Sequence, residues 1–349
     1  MSAVNSSVRP RSLASPVPLI FRRLRGVDAG TAPASLGGRL VGAGDVDALG
    51  GRVGALHARL LAPDGAVFDA WASDMPAYRG RHGCVHYATD GTWLHGLAEV
   101  DDRIDGLAAA SHRAYADLFE VLHANDGRHL LRVWNYLADI NLETHGSERY
   151  RQFNAGRQQA FIEARQSAFE GAPAACALGT RSGPLRVYFL AGRTPPLPIE
   201  NPRQVSAYRY PTAYGPRSPS FSRAALADVG DGRRALFISG TASIVGHASV
   251  HIGDVRRQTE ECLLNIATLR QLAGEPAERA VRFTAASLCY TVYLRDAADL
   301  PAVREVFERA VGAESPAARE AIYLQADICR SDLLVEIEAH GFAPTGDIV

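Results

Sequence analysis

Two glutamates near the C-terminal end of this 349-residue chain stand where a carboxylate could serve as an acid. They lie in the stretch AIYLQADICRSDLLVEIEAHGF, residues 321–342, where Glu336 and Glu338 interrupt the apolar run Leu333, Leu334, Val335 and Ile337 with a period of two. That alternation predicts a strand. On a strand both carboxylates point to one face. A carboxylate carried into a protein interior is paired, kept neutral or used as an acid. Cys329 precedes Glu336 by seven residues. From the residues alone either glutamate could be the acid, and both could simply form ion pairs.

The elements that must position this strand form a repeat. The second half reads as a strand RALFISGTAS (234–243), an acidic IGD (252–254), a long helix VRRQTEECLLNIATLRQLAG (255–274), a strand around CYTVYLRD (289–296) and a shorter helix LPAVREVFERAVG (300–312). In the long helix Thr259, Cys262, Leu263, Ile266, Leu269 and Leu272 recur at spacings of three and four, which predicts one buried face. Gly274 and Gly312 are fitting stops, and Pro301 a fitting start. The first half repeats the order: CVHYATDG (84–91) resembles the opening strand, DDRIDGLAAASHRAYADLFEVLHANDG (101–127) the long helix, LRVWNYLADI (131–140) the next strand and YRQFNAGRQQAF (150–161) the short helix. ETHGSER is an insertion. A repeat at a fixed offset predicts two related α+β units.

Between the halves runs AGRTPPLPIENPRQVSAYRYPTAYGPRSPSFSRA (191–224). Proline is dense here, which interrupts regular structure. Tyr208, Arg209, Tyr210, Tyr214, Arg217, Phe221 and Arg223 make the segment too aromatic for an ordinary linker. A rigid binding loop fits this composition. A packed crossover with tyrosines in the core is the competing description.

Composition excludes several chemistries. The chain has no lysine, so all 37 Lys+Arg residues are Arg. A lysine Schiff base, attachment of pyridoxal phosphate and a P-loop lysine are therefore ruled out. Any cation in a site is Arg, which suits bidentate recognition of carboxylates. The net charge of -1 gives no footprint for nucleic acid or anionic membrane, and no apolar run is long enough to span a bilayer. Five widely spaced cysteines without a CxxC pair predict a reducing, cytoplasmic setting and no structural zinc. The Ser-, Arg- and Pro-rich start lacks an apolar core, so it fits a flexible tail better than a secretory signal. No metal cluster is visible, and GAGD (42–45) and GTRSG (179–183) are too short for a phosphate loop.

Taken together, LFISG, GDVRRQTEECLLNIATLRQLAG, TVYLRDAADLPAVREVFERAVG and LLVEIEA resemble the Rid/YjgF fold. More narrowly, AYRYPTAYGPRSPSFSRA, SGTASIVGH (239–247) and ADICRSDLLVEIE (326–338) look like the chorismatases, which cleave chorismate to pyruvate and a cyclic acid. The likeness runs from roughly residue 80 to the end. It implies an α+β fold of two tandem Rid/YjgF-like units, each a mixed sheet packed on two helices, with a pocket near their interface. The expected organisation is a flexible tail (1–18), an N-terminal unit (19–190), a connecting segment (191–233) and a C-terminal unit (234–349).

The resemblance also implies roles. Chorismate is a dianion with an enol ether, so its site needs cations and an acid. Glu336 matches the family's general acid, which protonates the enolpyruvyl methylene; this requires a raised pKa. Cys329 stands where members that form hydroxybenzoates carry a Cys, implying 3- or 4-hydroxybenzoate rather than the non-aromatic dihydrodiol. Arg217 and Arg223, with Tyr208 or Tyr210, are the expected carboxylate partners, joined by Tyr150 and Arg157 from the first half. Arg157 could equally be a surface helix charge. Gly240 permits close backbone approach, Thr241 offers a hydroxyl and an amide, and Ala242 keeps the site roomy. His247 is expected to be structural. No cofactor and no nucleic-acid partner are implied, and the protein is expected to be a monomer or small homo-oligomer. The competing class is a Rid-type imine deaminase or metabolite-binding module, with Arg319 as its carboxylate-binding residue.

Overall fold

One strand order, used twice, places the two halves of the chain against each other. The computed structural model describes residues 17–26, 35–42, 53–275 and 281–345; the expected tail lies, up to residue 16, outside them. The chain opens with β1 (Ile20–Arg25), β2 (Ser35–Val41), β3 (Val53–Ala55), β4 (Arg59–Ala62) and β5 (Val67–Ala72). The first unit follows: β6 (Tyr78–His82), β7 (Val85–Thr89), β8 (Trp93–Val100), α1 (Gly106–Ala124), β9 (His129–Ala138), the small hairpin β10 (Glu143–Thr144) and β11 (Ser147–Glu148), α2 (Arg149–Glu163), β12 (Ala174–Thr180) and β13 (Leu185–Gly192). The second unit has β14 (Leu197–Ile199), β15 (Ala224–Asp228), β16 (Arg233–Ala242), the hairpin β17 (Ile244–Val245) and β18 (Ala248–Ser249), α3 (Val255–Ala273), β19 (Cys289–Leu294), α4 (Leu300–Val311), the short α5 (Pro316–Glu320), β20 (Ile322–Gln325) and β21 (Val335–Pro344).

The first sheet runs β6-β7-β8-β13-β9-β12 and the second β14-β15-β16-β21-β19-β20, closed at its edge by β4. Every strand therefore has a counterpart. In both, the far-edge pair is parallel and is bridged by a crossover helix, α2 or α4. This is the α+β, two-unit arrangement expected of a tandem Rid/YjgF-like chain. The correspondence differs from the sequence alignment by one hairpin: β16 matches β8, whereas residues 84–91 form β7 and match β15. Adjacent alternating strands look alike in one sequence, and only pairing tells them apart. Residues 191–233 also hold β14 and β15; Pro198 is tolerated because β14 is an edge strand.

Helices cover the outer faces. Leu107, Phe119 and Phe161 from α1 and α2 bury against Val187 of the first sheet. Cys262 and Ile266 of α3 and Phe307 of α4 bury against Ile337 of the second. Asp254 caps α3 by accepting from the Arg257 amide at 3.0 Å. The inner faces of the sheets enclose a third core around Trp71, Trp134, Phe237 and Tyr293.

The strands before Tyr78 complete this centre. Their sheet order, β1-β5-β2-β3, is that of the third, last, fourth and fifth strands of a unit, again with a parallel pair, β2 and β3. They behave as a partial third unit. Arg39 on β2, Tyr136 on β9 and Tyr293 on β19 meet at the middle: Tyr136 and Tyr293 share a hydrogen bond of 2.7 Å, and Arg39 donates to both hydroxyls.

Candidate active site

A cavity of about 650 Å³ lies between the two units, and Glu336 of β21 faces it. The carboxyl is 4% exposed and its Oε1 has no hydrogen-bond partner. Burial and the neighbouring Glu338 carboxylate push its pKa up to about 8, against the pull of Arg132 and Arg223. At neutral pH this carboxyl carries its proton. The space it occupies depends on a bulge in β16 between Ile238 and Thr241, opposite Glu338. A Cβ on Gly240 would lie 1.9 Å from Glu336 Oε1 and 2.9 Å from Cys176 Cβ. Gly240 therefore makes room for the Glu336 carboxyl, whereas the sequence suggested room for a ligand. The same bulge turns Ser239 toward the first unit, where it accepts from the Ala175 amide at 2.9 Å and donates to the Ser222 carbonyl at 2.5 Å.

Glu338, on the same face, has a different state. Burial pushes its pKa up, but Arg132 and Arg39 outweigh that and hold it below the usual carboxylate range. Tyr293 donates to it at 2.9 Å and Arg39 at 3.3 Å, with Arg132 on the second oxygen. Arg39 continues to Asp69 at 3.1 Å. One carboxylate is thus fixed as an anion beside another that is kept neutral, the condition that separates two adjacent carboxyls into different roles.

Cations surround the cavity. Arg157 on α2 is 2% exposed, donates to Asn154 Oδ1 at 2.9 Å and lies 4.9 Å from the Phe153 ring centroid. Arg223 donates to the Val205 carbonyl at 2.8 Å and the Tyr210 hydroxyl at 2.7 Å. Arg330 donates to the His247 carbonyl at 2.9 Å and packs 4.1 Å from the Tyr214 ring centroid. All three are held by neutral groups, and no ion pair engages them among the described residues. Each also has a buried nitrogen without a partner. Such guanidinium groups are pre-positioned for anionic ligands.

Cys329 lines the same cavity, half-buried, with its thiol pushed up to about 12 by burial first and by Glu336 second. It is a neutral thiol, suited to donating a weak hydrogen bond and unsuited to nucleophilic attack. Tyr150 is also on the lining, and burial together with Cys329 raises its hydroxyl pKa.

Of the residues singled out from sequence, the cavity gathers Glu336, Cys329, Tyr150, Arg157, Tyr210, Arg223, Gly240 and Ala242. Three of the expected substrate-binding residues stand outside its lining. Thr241 is buried and donates to the Ser239 carbonyl at 2.8 Å, because alternation along β16 turns it away from its neighbours Gly240 and Ala242. Tyr208 lies in the 3₁₀ turn Ala207–Arg209 beneath Arg209. Arg217 is exposed and donates to Gln158 at 3.3 Å. His247 is exposed, 3.1 Å from the Tyr214 hydroxyl. Arg319, on exposed α5, donates to the Glu314 carbonyl and does not line the cavity. Sequence reasoning missed Arg330, although it adjoins Cys329 in a chain whose site cations must be Arg. It also missed Arg39 and Arg132, whose link to Glu338 has no local signal. The ETHGSER insertion forms the rim hairpin carrying Glu143 and Glu148.

Comparison with known proteins bears on this geometry. A family model described as Chorismatase FkbO/Hyg5-like, N-terminal, matches residues 69–191. A 3-hydroxybenzoate synthase from Streptomyces hygroscopicus is 38% identical over 294 residues, covering 81% of this chain and 84% of that protein. A chorismatase from Streptomyces rapamycinicus is 37% identical over 79% of this chain and 82% of its own length. The crystal structure of a chorismatase superposes with a TM-score of 0.82 at 31% identity, covering 94% of this chain and 99% of that one.

Proposed function

We infer the reaction from one premise: this chain belongs to the chorismatase family. It is an enzyme that cleaves chorismate, releasing pyruvate and a cyclic acid. The observation that carries the assignment of its acid is Glu336, a buried carboxyl protonated at neutral pH beside a fixed anion, in the cavity between the units. In the proposed route Glu336 gives its proton to the enolpyruvyl methylene, and the resulting oxocarbenium ion is captured by a hydroxyl. Arg157, Arg223 and Arg330 hold the two substrate carboxylates, with Tyr150 and Tyr210 adding hydroxyl donors. Their positive charge also opposes ionisation of the acid, so burial and Glu338 are both needed to keep its proton in place. Gly240 and Ala242 leave the wall behind the acid bare. Cys329 assists capture by the ring hydroxyl instead of water, and aromatisation then gives 3- or 4-hydroxybenzoate. The route uses protein groups alone. Both units contribute to the one cavity, so a monomer suffices, and the free cysteines support a cytoplasmic location. Among the described residues no helix is long and apolar enough to cross a membrane.

The test is chromatography with mass detection after mixing pure protein with chorismate. The wild type is expected to form hydroxybenzoate and pyruvate. Glu336→Gln is expected to lose on the order of 10²–10⁴-fold in rate, the usual worth of a positioned general acid. Cys329→Ala is expected to keep consuming chorismate while the product shifts toward the non-aromatic dihydrodiol. A dihydrodiol from the wild type would overturn the role of Cys329; untouched chorismate would overturn the enzyme assignment.

A further inference from the structure

The repeated strand order gives the active cavity a counterpart in the first unit. Glu336, second in β21, faces Tyr293 on one side and Ala242 on the other. Arg186, second in β13, faces Tyr136 and Glu99 in the same way. Arg186 therefore stands in the place of the acid. A cavity of about 570 Å³ opens there, nearly the size of the first, lined by Arg186, Glu99 and Leu97. Its opposite wall comes from the parallel pair β2 and β3 through Gly38, Gly54 and Ala55, just as Ala175–Ala177 of β12 form the opposite wall of the catalytic cavity. The third equivalent place, at Asp69 opposite Arg39, is filled: Arg23 donates to Asp69 at 2.7 Å and to the Tyr290 carbonyl at 2.7 Å.

We propose that the cavity at Arg186 is a second binding site, which holds a small aromatic carboxylate without turning it over. Charge selects the anion. Arg81 and Arg186 line the cavity, and among the described residues Glu99 is the one carboxylate on its lining. Arg186 donates its Nε to Glu99 at 2.6 Å and its Nη1 to the Ala55 carbonyl at 2.5 Å, and its Nη2 makes no hydrogen bond among the described residues. Arg81 is exposed, and among the described residues its guanidinium makes a single hydrogen bond, 3.3 Å to the Gly83 carbonyl. The Tyr87 ring and Leu97 supply flat apolar surface for a ring. Chorismate entering here is not cleaved either: a guanidinium does not surrender a proton near neutral pH, so nothing in the acid's place can protonate its enol ether. That last step rests on the assignment of Glu336; the binding does not.

Calorimetric titration with 3-hydroxybenzoate as the probe tests this. Arg223→Ser, which cripples the catalytic cavity, is expected to leave one site occupied. Adding Arg81→Ser or Arg186→Gln to it is expected to weaken that site by about tenfold, the worth of one charge-assisted hydrogen bond. Arg81→Ser alone, at an exposed position, is expected to turn over chorismate like the wild type. The proposal fails if Arg223→Ser abolishes all binding, or if the residual binding ignores both Arg81 and Arg186. A protein that leaves chorismate intact overturns the proposed function while this titration still reads the second site.

Discussion

At the scale of single residues, the cavity keeps two adjacent carboxyls in opposite states. Glu336 is protonated below about pH 8, so kcat/KM is expected to fall as pH rises through that value. Glu338 contributes by standing beside it as an anion. Glu338→Gln removes that charge and leaves Arg132 uncompensated, both of which favour ionised Glu336. The alkaline limb of the pH profile is therefore expected to move to lower pH; an unmoved limb would deny the coupling. The raised pKa also has a cost in stability. The unfolded chain ionises this group at an ordinary carboxylate value, whereas the fold resists ionisation up to about pH 8. Each pH unit in that window favours unfolding, and above it the penalty is constant. Glu336→Gln is thus expected to be more stable than the wild type by about 3 kcal/mol at pH 7, with little gain at pH 4. Denaturant unfolding at the two pH values measures the difference.

At the scale of elements, the Glu336 carboxyl depends on a strand that is not its own. The β16 bulge and the missing side chain at Gly240 leave the volume that the Glu336 carboxyl fills. Gly240→Ala places a methyl 1.9 Å from Oε1, so the carboxyl must swing away. A misplaced catalytic group of this kind costs on the order of 10²-fold in kcat, while overpacking costs only about 1–3 kcal/mol of stability. A folded but crippled enzyme is the expected outcome, read by circular dichroism beside single-turnover kinetics. Full activity in Gly240→Ala would show that the acid does not need this space. The Pro-rich segment is positioned by the same logic: its 3₁₀ turns carry Tyr210 and Tyr214, whose rings pack on Arg223 and Arg330 at 5.6 Å and 4.1 Å. Proline density there reads as rigidity that holds rings over guanidinium groups.

At the scale of the whole molecule, three related sheets converge on Arg39, which ties the strands before Tyr78 to the Glu338 carboxylate. Arg39 compensates both Glu338 and Asp69 and donates to Tyr136 and Tyr293. Replacing it by Met leaves two buried anions short of a partner, a change that costs roughly 3–5 kcal/mol. Arg39→Met is expected to lose stability on that scale in denaturant titrations, and an unchanged midpoint would remove Arg39 from the centre of the fold. The arrangement also shows how one architecture yields different pockets. The acid's place holds Glu336 in one unit, Arg186 in the next and Asp69 in the partial third.

Legible along the chain were the periodic elements, the doubled α+β unit, the exclusion of lysine chemistry and the strand face shared by Glu336 and Glu338. These are local properties: spacing sets which residues share a face, and composition sets which side chains exist. Through the family likeness the sequence also singled out Glu336, Cys329, Tyr150, Arg157, Tyr210, Arg223, Gly240 and Ala242 on the cavity's lining. The tertiary structure decided the rest. Which glutamate is neutral depends on Arg39 and Arg132, brought from 299 and 206 residues away. That Arg217 stands outside the cavity, and that Arg330 borders it, depends on loop paths that no spacing encodes. Charge state is a property of the assembled surroundings, because desolvation and neighbouring charges exist only once distant strands have met.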